Sequence, residues 1–457
     1  MSLKLRTLGH ASLALYRDGE APLLLTDPWL VGSVYWRSWW LESYPTAAEL
    51  DWLARSAVVY VTHEHPDHYH MPSLRRLGEG PLYLFPRLAE LGFVQHAADH
   101  GFRTAVMAPG VWRPLGSDAA ILSIPCWNDD SLLLVDTPRA LIVNLNDAKP
   151  AAAVLRAIRR LIDALAKPVV LACSYSPASL VNSFLDEHGT VSIKSRDRYV
   201  RYICGVCDAL GASVYLPFAS QAVFLREDSR WANEHRTTLA DLERHWHSPT
   251  KLLPPYATLD LDDLSHEALP PERYHRPDET RVRALTARRL AEEGAAVFGE
   301  ADVAQLRRKL NAFRLILAVL FPRGFSFRFG ARCLRYDGWR GRLRDVDADG
   351  PQRGDFVIAV PTLTMKEALA NDHVSDLGIT MFVRIRLLRR FDPRWVYGLF
   401  VLFGFDDYRH TRTLGALWRW VRAGIAHTFR LRLPLPDAEP RGTAPRPSSR
   451  RRASQAP

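Results

Sequence analysis

The spacing of apolar and polar positions changes along the chain. Up to about residue 255, short apolar runs alternate with stretches of helical period. Ala57-Val58-Val59-Tyr60-Val61, Ala140-Leu141-Ile142-Val143 and Pro168-Val169-Val170-Leu171 read as strands, and residues 151–165 and 198–210 read as helices. Leu8-Gly9-His10-Ala11-Ser12 and residues 23–30 read as two further strands around the polar turn Arg17-Asp18-Gly19-Glu20. Residues 256–280 are rich in Pro and Asp, follow Leu253-Pro254-Pro255, and predict a connector. Beyond it, 281–293 and 301–320 predict helices, while 324–329 and 355–360 alternate as half-buried strands do. The pattern predicts an α/β domain over 1–255, a smaller α+β domain of unassigned role over 281–435, and a disordered basic tail over 436–457.

Composition narrows this picture. With 457 residues, 47% of them hydrophobic, the chain exceeds what one core usually holds. The start, Met1-Ser2-Leu3-Lys4-Leu5-Arg6, lacks an apolar signal region, and five cysteines give no disulfide framework, so the expected location is cytoplasmic. Cys204-Gly205-Val206-Cys207 lacks a second pair and reads as the buried face of a helix. The most apolar stretches, 315–321 and 395–405, reach about half of the ~20 residues a spanning helix needs, which leaves peripheral membrane contact open. A net charge of +10, carried mostly by arginine, fits an anionic small-molecule substrate, because guanidinium binds phosphate and carboxylate in bidentate fashion. No motif points to nucleic acid, and the tail with Arg450-Arg451-Arg452 reads as solvated.

The candidate chemistry sits after the 57–61 strand, in Thr62-His63-Glu64-His65-Pro66-Asp67-His68-Tyr69-His70. Imidazoles and a carboxylate crowded at a strand end form a metal site suited to zinc, manganese or iron. A strand places His63 and His65 on one face, and the following turn swings Asp67 and His68 back toward it. A solvated histidine-rich loop is the plain alternative.

The form His-x-His-x-Asp-His resembles the metallo-β-lactamase superfamily, whose fold is a four-layer αββα sandwich. The resemblance implies one metal position on His63 and His65 and a second on Asp67 and His68, with Asp147 as the bridge. Asp67 and His68 are then the candidate catalytic residues, Asp67 orienting the nucleophile. Gly9-His10-Ala11-Ser12 and Asp27-Pro28-Trp29 are similar to the branch holding ascorbate-6-phosphate lactonases, an N-acyl-phosphatidylethanolamine phospholipase and CMP-N-acetylneuraminate hydroxylases. In it Asp27 would hydrogen-bond a ligand histidine from behind, with His10 beside it. Asp27 as a turn cap and His10 as a strand-end residue without a role stay open. Trp29 to Trp40, Asn144 to Asp147, Tyr215 to Ser220, Ala257 to Leu261 and Leu431 to Pro436 look most like the hydroxylases. Trp29, Arg37 and Arg226 are candidate substrate contacts, although core packing accounts for the aromatic run equally well.

Two departures qualify the resemblance. The family's third histidine falls in Cys126-Trp127-Asn128-Asp129-Asp130-Ser131, where Asp129 or Asp130 would serve as an oxygen ligand and favour iron or manganese. Its last histidine is missing after Pro217-Phe218-Ala219-Ser220, which offers Arg226 instead. One or two divalent ions are therefore expected. The leading expectation is a metal-dependent hydrolase of an anionic ester, lactone or phosphodiester. An iron-dependent monooxygenase competes with it; having no Cys-x-His or Cys-x-x-His pair, the chain would draw electrons from a separate Rieske protein or ferredoxin. A non-catalytic binding protein with a decayed site is the third reading.

Overall fold

The computed structural model describes residues 2–88, 91–126, 129–177, 183–193, 195–348, 353–390, 392–410, 413–429 and 433–436. The expected tail beyond Pro436 lies outside these residues, as do Trp127, Asn128, Leu431 and Arg432.

Two sheets stack face to face. The first runs His266–Ala268, Ala257–Asp260, Leu3–Leu8, Ser12–Arg17, Leu24–Thr26, Val58–Tyr60, Leu82–Pro86, Thr104–Met107. The second runs Lys251–Leu252, Val214–Phe218, Val169–Ser174, Leu141–Asn146, Ser131–Asp136, Ala119–Pro125, Arg113–Leu115. Between them Leu5, Leu13, Leu15, Tyr60 and Leu84 meet Ile121, Leu133, Val135, Ile142 and Leu216. On the far side of the first sheet, Leu25, Val59, Tyr83 and Phe85 pack under the helices Ala47–Leu53, Met71–Leu77 and Gly92–Asp99. On the far side of the second, Leu122, Leu134, Val143 and Leu171 pack under Ala152–Leu165, Arg196–Leu210 and Leu239–His245. The layers are therefore αββα. Because both faces of the central strands are covered, Ser131–Asp136 and Leu141–Asn146 are buried almost throughout and carry unbroken apolar runs. Cys204 and Cys207 face this core from their helix, as their spacing predicts.

A third sheet, Gly189–Val191, Phe184–Asp186, Arg384–Leu387, Phe356–Ala359, Phe325–Phe329, Arg332–Asp337, Arg342–Val346, forms the α+β part. Phenylalanines 184, 298, 321, 325, 327, 329 and 356 dominate its core. The stretch 301–320 is two helices, Glu300–Asn311 and Arg314–Leu320, because Phe313 between them turns into that core.

Two expected boundaries move. The connector 256–280 contains strands of the first sheet: Ala257–Asp260 pairs with Leu3–Leu8, and buried Ala257 and Leu259 alternate with partly exposed neighbours. Pro254-Pro255 precedes a strand rather than ending the domain. Residues 184–191, inside the stretch read as the first domain, belong to the third sheet, where Phe184 pairs with Ile385. The two parts are thus interleaved in sequence. No helix among the described residues is long and apolar enough to cross a membrane.

Candidate metal centre

The parallel strands Leu24–Thr26 and Val58–Tyr60 end side by side and deliver Asp27 next to Thr62. The fully buried Asp27 carboxylate accepts from the Thr62 amide at 2.7 Å and from its hydroxyl at 3.0 Å. It also lies 3.1 Å from His68 Nδ1, which leaves His68 Nε2 as the forward atom. His63 is held in the same way: Thr62 Oγ1 at 3.0 Å and Asp130 Oδ1 at 3.2 Å both face its Nδ1, and Nε2 points forward to His65 Nδ1 at 2.8 Å. His65 is backed from the third-sheet part, with Tyr408 Oη at 3.3 Å and Asp376 Oδ1 at 3.9 Å from its Nε2. Tyr35 donates to Asp67 Oδ1 at 2.6 Å, which leaves Oδ2 forward, 3.4 Å from His68 Nε2 and 3.2 Å from His10 Nε2.

Asp147 arrives from the facing sheet. Asn146, in a left-handed conformation at φ 42°, receives the amides of Asp147 and Ala148 on its side-chain oxygen and turns the chain at the strand end. Asp147 Oδ1 then stands 3.6 Å from His68 Nε2.

The forward atoms form two groups, His63, His65 and Asp147 in one and His10, Asp67 and His68 in the other, each with its atoms within 4.8 Å of one another. Buried His68 Nε2 and Asp147 Oδ1 have no hydrogen-bond partner although they face each other, so the residues fit a cation between them. The electrostatics agree. Burial favours neutral forms, yet His68 is raised well above its ordinary value by Asp67, Asp147 and Asp27, and Asp147 is lowered to about 2 by His68 and His63. A protonated His68 thus supplies the positive charge these carboxylates call for, and a metal would displace that proton. His65, deprived of charge by burial and by His63, drops to about 4 and is a neutral donor at physiological pH.

A four-layer sandwich bearing His-x-His-x-Asp-His at its edge, met by an aspartate from the opposite sheet, decides the fold. It is that of the metallo-β-lactamases. No family model matches the chain. Over 57 residues it is 42% identical to the cytidine monophosphate-N-acetylneuraminic acid hydroxylase of Asterias rubens, which is 12% of this chain and 9% of that protein. Over 167 residues it is 30% identical to a putative Rieske 2Fe-2S iron-sulfur protein of Mycolicibacterium smegmatis, 32% of this chain and 30% of that one. The chain thus spans under a third of the length of these relatives. Among solved structures, Igni18, a metallo hydrolase of Ignicoccus hospitalis, covers 57% of this chain with 98% of its own at 14% identity and a TM-score of 0.37.

The metallo-β-lactamase sandwich opens at these groups into a cavity of about 770 Å³, lined also by Tyr35, Trp39, Lys149, Arg198, Tyr199, Tyr202, Arg394 and Tyr397. Tyr199 and Asp147 raise the exposed Lys149 above its ordinary value, so its ammonium stays charged.

Of the residues expected at the site, the structure brings His63, His65, Asp67, His68, Asp147, His10 and Asp27 together. Neither Asp129 nor Asp130 joins the two ligand groups, although Asp130 lines the cavity. Asp130 stands behind His63 and accepts from the Ser131 amide, and Asp129 meets His410 Nε2 at 2.5 Å. Three expected substrate contacts also lie elsewhere. Trp29 is buried against the His10 and His70 rings. Arg37 faces another groove with Trp40 and Tyr44. Arg226 is wholly enclosed between Asp228, the Trp36 carbonyl and the Phe382 ring.

Sequence reasoning missed Tyr35, Lys149, Asp376 and Tyr408. For Tyr35 the aromatic run was the signal. Tyr35, Trp36 and Arg37 are all left-handed, at φ 48°, 53° and 66°, a costly conformation for side chains of this size. Tyr35 on Asp67 and Trp36 Nε1 on Glu367 Oε2 at 2.6 Å hold it in place. Asp376 and Tyr408 lie more than 300 positions from His65 and carried no local signal.

Proposed function

We propose that this chain is a metal-dependent hydrolase acting on an anionic ester, lactone or phosphodiester. The observation that carries the reading is the meeting of two ligand groups, borne by the first sheet and joined by Asp147 from the second, at the floor of a cavity whose wall bears Lys149, Arg198 and Arg394. A divalent ion bound there lowers the pKa of a coordinated water and polarises the oxygen of the group under attack. The chain's own residues do the rest. Asp67, with Oδ1 held by Tyr35, presents Oδ2 to orient the attacking water. Asp27 fixes the tautomer of His68 so that Nε2 faces Asp67 and Asp147. Lys149, which also bonds the Asp147 carbonyl at 3.2 Å, places positive charge beside the reacting group, and the tyrosines of the wall exclude water.

The sequence likeness to hydroxylases and to an iron-sulfur protein favours a second reading, an iron-dependent monooxygenase served by a separate electron donor. Metal analysis of protein purified without oxygen or added zinc, followed by ester, lactone and phosphodiester libraries, tests the first reading. Two zinc or manganese ions with hydrolysis supports it. Iron with electron-dependent oxygen consumption and no hydrolysis replaces it with the second.

A further inference from the structure

The family's last histidine has no counterpart at its usual place in the sequence, yet the second ligand group contains two imidazoles. The second one comes from the other end of the domain. Leu3–Leu8 and Ser12–Arg17 pair antiparallel from Leu3↔Arg17 to Leu8↔Ser12, so residues 9–11 form the tip of a tight hairpin. Gly9 permits the tip: its φ is +57°, and a Cβ there would meet the Trp29 carbonyl oxygen at 2.7 Å. The His10 carbonyl accepts from the Ala219 amide at 3.0 Å, which ties the tip to the second sheet just past Val214–Phe218. The imidazole, 2% exposed, is wedged against Trp29 and Trp39 at 5.5 and 5.9 Å between ring centres.

That packing aims His10 Nε2 at Asp67 Oδ2, 3.2 Å away, the same oxygen that His68 Nε2 approaches at 3.4 Å. The other polar atoms of Asp67 and His68 are committed elsewhere: Tyr35 holds Asp67 Oδ1 and Asp27 holds His68 Nδ1. Two imidazole nitrogens and one carboxylate oxygen thus converge from two separate segments, the hairpin tip at His10 and the Asp67-His68 turn. His10 lines the cavity, and its Nε2 faces the Asp67 carboxylate rather than a backbone or hydroxyl group.

We infer that His10 is a ligand of the second metal position and supplies the imidazole that the sequence lacks after Ser220, so that this position is complete with His10, Asp67 and His68 around one divalent cation. The inference rests on the metal-dependent reading but not on hydrolysis.

The test is cobalt(II) titration of metal-stripped full-length protein, read by equilibrium stoichiometry and by the visible absorption of each ion. Wild type takes up two ions. His10→Gln, which keeps the size and polarity of the side chain, takes up one, with the first ion's spectrum retained; in His10→Ala added imidazole restores the second, a rescue that a packing role would not give. Two ions bound by His10→Gln with unchanged spectrum and affinity overturns the inference. Two ions in wild type without turnover of any ester would remove the hydrolase reading and leave the His10 assignment standing.

Discussion

Arg226 separates a structural account of its guanidinium from the substrate-binding role the sequence suggested. It is fully buried, with Nε 2.9 Å from Asp228 Oδ1, Nη1 donating to the Trp36 carbonyl at 3.1 Å and Nη2 3.8 Å from Glu293. Burial lowers the arginine from its ordinary value and raises Asp228, so for both partners desolvation outweighs their attraction. What costs free energy is orphaning one of them. Arg226→Met should therefore lose about 3–5 kcal/mol of stability, because Asp228 is left without its cation and the Trp36 carbonyl without its donor. Arg226→Met combined with Asp228→Leu should recover most of that loss, since neither charge then remains. Urea denaturation followed by circular dichroism measures the three proteins, and metal titration of the folded fraction should give wild-type stoichiometry in each. A single Arg226→Met variant that is as stable as wild type but fails to bind anionic ligands would refute the reasoning and return the residue to the substrate site.

Three further outcomes follow from the geometry. Asp27→Asn should weaken metal binding by about 10–100-fold without unfolding the sandwich, because His68 loses the acceptor that fixes its tautomer; chelator competition measures it. Gly9→Ala should destabilise by more than about 1 kcal/mol, since the left-handed φ is costly with a Cβ and the Trp29 carbonyl cannot yield freely; thermal melting with metal counting checks whether the second ion goes with it. Burial holds His70 down to about 4. Its folded value lies below the unfolded one, so as pH falls from 6.5 toward 4 the unfolded chain takes a proton that the folded protein refuses, and stability is lost. The loss is at most about 3 kcal/mol. In metal-free protein His70→Asn should flatten this part of the pH profile relative to wild type, and an unchanged slope would count against a neutral buried His70.

Much of the sandwich was legible because periodicity and burial coincide there. Residues 57–61, 140–143 and 168–171 are apolar on both faces, which is what a strand between two covered layers requires. The metal motif was legible because its ligands lie within six positions. The strand Ala257–Asp260 was not, since prolines before it and aspartates after it resemble a linker until its pairing with Leu3–Leu8 is seen. Nor was the crossing of 184–191 into the third sheet, a pairing across some 200 positions. At the site, Asp129 and Asp130 had the right chemistry in the right segment, but Asn146 and the Ser131 amide direct Asp130 behind His63 and His410 claims Asp129. Arginine at 226 reads as a substrate contact in one dimension and as a buried tie between the two parts in three.

The most direct measurement is turnover by metal-reconstituted wild type, His65→Ala and Asp67→Ala on one ester or phosphodiester that the wild type cleaves, with circular dichroism to confirm folding. The account predicts turnover only in metal-loaded wild type and its loss in both variants, together with loss of bound metal. Full turnover in both folded variants, or equal turnover by metal-free wild type, would contradict it.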